Sequence, residues 1–280
     1  MLHNSKLLRG VANLAACFLL LLVLPSVARA RRAKPPKPQA TGLLTAEDVV
    51  SAELAWPAIL LSAQSVIGDL RAAVGSSDVS GDDSYAVKSG DDAAQMLEAW
   101  TVNRPARPKG ETNRLYNATL AEHALACKYK QQLLSLLHAL GPFYCFDNSP
   151  PIRFARRPAG TALLVTRLAS SDIFNTLRTT QKTRAAKALQ STVLPEIGEL
   201  RRALAGTSLK YYGLIAFYGA RDFSKDYLSP DYEGVALIVS AAAAAKFADG
   251  LITEDALVSG ADVYVSSGGG SFKKTKLRLE

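Results

Sequence analysis

The sequence predicts an α+β protein, predominantly helical, with an N-terminal helical bundle followed by a small C-terminal section of three or four strands and short helices. Two observations carry that expectation. Apolar residues recur with helical spacing after Thr45 and again from Asn113 to Leu140, and helix-forming residues dominate 171–205, the signature of amphipathic helices. The character changes at Ser208, where LKYYGLIAFYG and GVALIVSA are rich in aromatic and β-branched residues, which favour strands. The expected organisation is a signal peptide over 1–30, a basic proline-rich linker over 31–44, a helical region over 45–206, and an α+β section over 207–280 packed on it.

The amino end reads as a targeting segment. Lys6 and Arg9 precede a nearly unbroken apolar run from Val11 to Leu24, Pro25 ends it, and Ala28-Arg29-Ala30 offers a small-x-small cleavage site, the order of an export signal. Cys17 lies in the middle of the apolar run, so lipidation there would leave FLLLLVLP on the exported chain. Cleavage after Ala30 and export to the periplasm or the exterior is the expectation. The alternative is an uncleaved membrane anchor over 11–28, near the lower length limit of a spanning helix. Its support is the run of five cations from Arg29 to Lys37, because positive charge resists translocation.

Residues 31–43, RRAKPPKPQATGL, have little to bury and read as linker. Thr45-x-x-Asp48 is a helix N-cap signal, and the helical pattern that follows contains Pro57 and stops at Gly75. SSDVSGDDSYAVKSGDD reads as a long polar loop, and a short helix is expected from Asp92 to Val102. The helix from Asn113 to Leu140 is closed by Gly141-Pro142. FYCFDNSPPIRFARRPAG reads as loop, and TALLVTRL is compatible with a strand or a helix start. After the two strand-like stretches, AAAAKFADG and TEDALVSG read as short helices, and DVYVSSGGGSFKKTKLRLE as a closing hairpin around Gly268-Gly269-Gly270.

A net charge of +8 over 280 residues invites a nucleic-acid reading, but the distribution of charge removes it. Residues 1–46 hold seven cations and no acid, which leaves 26 cations and 25 acids, a net +1, in the remainder. Within that remainder, 47–100 carry −8 and 101–220 carry +11. Either the acidic part packs beside the basic middle, or the middle presents a basic face to an anionic lipid or envelope polymer. Arg153, Arg156 and Arg157 in RFARRP, with Arg178, Lys182, Arg184 and Lys187 in RTTQKTRAAK, would form that face.

Beyond Cys17 the cysteines are Cys127 and Cys145, a candidate disulfide in an exported chain. Thirteen helical residues from Cys127 to Leu140 span about 20 Å, and five extended residues can run back about 17 Å, so the bond closes if the chain reverses at Gly141-Pro142. His123 and Cys127 share one helix face, but two ligands do not make a structural zinc site, and no cofactor is implied. The triple glycine lacks the Gly-Lys-Ser/Thr ending of a phosphate loop. With no catalytic spacing in view, the chain reads as a non-enzymatic envelope interaction or accessory protein. An exported hydrolase, whose residues converge only in three dimensions, is the alternative.

Overall fold

Thr45 starts helix α1, residues 46–55, in the computed structural model, which describes residues 42–55, 86–102, 120–145, 150–224, 231–267 and 271–279. The Thr45 hydroxyl accepts from the Asp48 amide at 3.1 Å and donates to the Asp48 carboxylate at 2.6 Å. That exchange offsets amides with no partner inside the helix. Ser89 and Asp92 repeat the arrangement before α2, Gly90–Val102. Two helices, α3 (Leu120–Lys128) and α4 (Lys130–Ala139), follow where one was expected, because the chain bends at Tyr129. The second ends ahead of Gly141, whose φ of 130° suits a residue without Cβ.

Strands begin before this point, with β1 at Ala86–Lys88, and continue with β2 (Phe143–Cys145), β3 (Ile152–Arg157) and the sixteen-residue β4 (Gly160–Asn175). A crossover through α5 (Gln181–Ala188), a π turn at Leu189–Val193 and α6 (Ile197–Ala203) leads to β5 (Tyr211–Arg221), which pairs with β4 in parallel. Then come β6 (Asp231–Ser240), α7 (Ala241–Ala248), α8 (Glu254–Ser259), β7 (Asp262–Ser267) and β8 (Ser271–Thr275). Among the described residues, eight strands form one mixed sheet in the order β1-β2-β4-β5-β6-β7-β8, with β3 also on β4. Two irregularities, between Val165 and Leu168 and between Ala169 and Ile173, let β4 take β3 along its first half and reach β2 further on.

This overturns the expected predominantly helical architecture. Among the described residues of 45–206 four strands arise, and a sheet rather than a helical bundle organises the N-terminal part. FYCFDNSPPIRFARRPAG supplies β2 and β3 instead of a loop, TALLVTRL lies in β4, and the strand continues through Ser171–Asn175, where helix was expected. The reason is non-local. The backbone groups of β4 are satisfied by β3 and β5, partners that a local propensity does not contain. In the C-terminal section β7 and β8 pair as a hairpin, Ser267 opposite Ser271.

Alternation along the strands builds two cores. Leu163, Val165, Leu214, Tyr218, Val235, Leu237 and Val263 face a layer made from α2 to α8. Ala162, Leu164, Ile215, Phe217, Ala236, Ile238 and Tyr264 face the other way, against Val49, Val50 and Leu54 of α1. Both faces of β5 and β6 are therefore covered, which explains their unbroken apolar sequences. Gly234 permits the close seat of α1, since a Cβ there would lie 2.6 Å from Leu54 Cδ2 and 2.8 Å from a Phe217 ring carbon.

The expected signal peptide or anchor, the linker through residue 41, residues 76–85 of the expected polar loop and the triple glycine lie outside the described residues, while residues 86–92 of that loop form β1 and the start of α2. Among the described residues, no helix is long and apolar enough to cross a membrane.

Candidate functional site

The seven basic residues singled out by sequence do not share one face. Arg153, Arg157 and Arg184 are drawn into the fold by carboxylates, while Arg156, Arg178, Lys182 and Lys187 are exposed. Arg156 lies opposite Thr161 at the start of β4, and Arg178 follows its end at Asn175. At about 3.3 Å per strand residue, on the order of 40 Å separates these ends.

Arg153 is held at the outer edge of β3. Its Nε donates to Glu122 Oε1 of α3 at 2.8 Å, and its Nη1 lies 3.6 Å from Glu53 Oε1 of α1. Both glutamates are 1 % exposed. Burial alone would weaken the guanidinium's hold on its charge, but Glu122 and Glu53 outweigh it and raise the arginine's pKa. The same Glu122 oxygen accepts the Phe154 amide at 3.2 Å, and the Arg156 amide donates to Leu44 at 2.7 Å. These bonds close an edge that would otherwise invite another strand.

Arg157 reaches Asp262 of β7 at 2.6 Å and stacks over the Tyr211 ring, 4.9 Å from its centre. Lys274 meets the other Asp262 oxygen at 2.7 Å. Burial would raise the Asp262 carboxyl, but the hydrogen bonds from Lys274 and Arg157 prevail and hold it below the usual carboxylate range.

Arg184 of α5 makes a two-pronged pair with Glu233 of β6, Nε to Oε2 at 2.9 Å and Nη2 to Oε1 at 2.6 Å, and its Nη1 donates to the Thr179 carbonyl. Tyr218 is Glu233's neighbour across the β5–β6 ladder and is fully buried. Burial, with the Glu233 carboxylate beside it, pushes this phenol well above its usual range. The sequence singles out Arg184 but neither Glu233 nor Tyr218; their pairing depends on a ladder formed between strands.

Arg178, Lys182 and Lys187 remain exposed around α5. Thr180 caps that helix through the Thr183 amide at 3.2 Å. Asp172, nearby at the end of β4, accepts from the Ser191 and Ser170 hydroxyls at 2.6 and 3.2 Å.

Cys127 and Cys145 are not joined by a disulfide: Cys127 is exposed on α3 and Cys145 is buried in β2. Direction decides this, because α3 turns Glu122 and Ala126 inward, and the next position lies about 100° further round the helix. Cys127 Sγ instead sits 3.8 and 3.9 Å from the His123 ring nitrogens, and Trp100 meets that ring edge-on at 5.3 Å. His138 pairs with Asp91 at 2.7 Å on the surface. Among the described residues, no carboxylate orients His123 and no three metal-ligating side chains gather. Tyr212 and Tyr218 belong to one core and Phe217 to the other, while Tyr232 meets Tyr144 at 5.6 Å, so the aromatic residues of β5 and β6 divide between the two faces.

Comparison with known protein families, curated proteins and solved structures gives no match.

Proposed function

We propose that the chain is an exported, non-enzymatic envelope accessory protein that holds an anionic component through Arg178, Lys182 and Lys187. The observation that carries this reading is the division of labour among the cations. Arg153, Arg157 and Arg184 are held inside the fold by Glu122, Asp262 and Glu233, whereas Arg178 and Lys182, beside the start of α5, are exposed, and Lys187 is exposed further along that helix. A guanidinium and two ammonium groups on an exposed surface suit phosphate or carboxylate groups of a polyanion more than a single shaped substrate.

The test is a titration of the full chain with inorganic polyphosphate, followed by light scattering or calorimetry at several salt concentrations. Binding that weakens with salt and is lost in the Arg178→Ala, Lys182→Ala, Lys187→Ala triple variant is expected. Equal binding by the variant and the parent chain would refute the reading, as would no binding by the parent.

A further inference from the structure

Of seven large apolar side chains exposed among the described residues, three gather at one end of the β4–β5 pair: Ile173, 53 % exposed, Leu177, 64 %, and Phe223, 40 %. The backbone places them together. Ile173 lies opposite Gly219 and Asn175 opposite Arg221, and the Thr176 amide donates to the Arg221 carbonyl at 2.9 Å. Leu177 and Phe223 each follow two residues beyond that last rung, on turns that leave neighbouring parallel strands. Adjacent strands run about 4.8 Å apart, so the two turns are neighbours.

Exposed cations border these side chains. Arg178 follows Leu177 directly, and Lys182 stands in the first turn of α5. Carboxylates are present too, but the protein's own donors engage them. Asp172 takes the Ser170 and Ser191 hydroxyls, and Asp222 takes the Ser224 amide and hydroxyl at 3.0 and 2.6 Å. Both acids are half-buried, whereas Arg178 and Lys182 are exposed. Among the described residues, the exposed charge beside Leu177 is positive.

A soluble polyanion would use the cations and leave the apolar groups in water. A bilayer interface uses both, since apolar tips enter the boundary while lysine and arginine meet the headgroups. We infer that this end of the β4–β5 pair docks on an anionic lipid surface, with Ile173, Leu177 and Phe223 seated in the interface and Arg178 and Lys182 on lipid phosphates. The inference rests on the anion-binding reading above and names its partner as a membrane.

The full chain carries an apolar N-terminal run that can itself bind lipid, so the experiment must report from the patch. Leu177→Trp provides that probe, read as a difference from the parent chain, which has two tryptophans. The expected result is a blue shift and quenching by brominated phosphatidylglycerol vesicles. Brominated phosphatidylcholine should quench far less, and adding Arg178→Ala and Lys182→Ala should remove most of the quenching. Polyphosphate binding without quenching by either lipid would overturn the membrane inference and leave the anion-binding reading standing; failure of both assays would overturn both. Equal quenching by the two lipids would overturn the role given to charge. A shift that follows protein concentration without lipid would show the patch to be a contact between copies of this chain, which also overturns the inference.

Discussion

Arg184 and Glu233 give a sharp test of how the two layers are joined. Their side chains are 7 % and 8 % exposed, and two hydrogen bonds of 2.9 and 2.6 Å link α5 to β6. Replacing Arg184 by methionine keeps most of the volume but strands a carboxylate among Tyr218 and the core. Breaking a buried pair from one side costs about 3–5 kcal/mol. At about 2–4 °C per kcal/mol for a domain of this order of size, the melting temperature should fall by roughly 6–20 °C. Glu233→Leu alone should cost a similar amount, because it leaves the guanidinium buried with the Thr179 carbonyl as its remaining partner among the described residues. Combining Arg184→Met with Glu233→Leu removes both charges and should restore most of the stability, since apolar replacements of buried pairs are often neutral or better. The assay is a double-mutant cycle by urea unfolding, with circular dichroism to confirm the native signal. Losses that add, with a coupling energy near zero, would refute the argument that each charge is buried only because of the other.

The Asp262 carboxyl supplies a pH test. Its folded pKa is depressed, so it contributes stability above the unfolded value of about 3.9, and that contribution is lost as pH falls through the folded pKa. Asp262→Asn should therefore be less stable than the parent at neutral pH, and the gap should close in acid; a gap that stays constant in urea melts across that range would contradict the Lys274 and Arg157 pairing. The cysteines supply a chemical test. Among the described cysteines, Cys127 should react at once with a thiol reagent and Cys145 only on unfolding, and a Cys127–Cys145 peptide in a non-reducing digest would contradict the placement of α3.

Short-range chemistry made several elements legible in the amino-acid order. The Thr45–Asp48 cap, the Thr253 cap accepting from Ala256, the helix end before Gly141, and β5 and β6 all depend on residues close in the chain or on a strand's own composition. Ser89 and Asp92 carried the same signal as Thr45 and Asp48, and it marks the true start of α2. Tertiary structure alone decided β3 and β4. IRFARR looks like a solvated loop because three of its six residues are arginines, yet it is a strand whose Ile152 and Phe154 enter the core. That burial is tolerable because Arg153 meets Glu122 and Glu53, and Arg157 meets Asp262, carboxylates from distant stretches of chain. The same remote pairings split the seven cations into structural and exposed sets, and side-chain direction, invisible to a count of spans, kept Cys127 from Cys145. Helix caps and turns close their hydrogen bonds within a few residues and so can be read locally, whereas strand ladders and buried ion pairs are completed by partners that only the folded chain brings near.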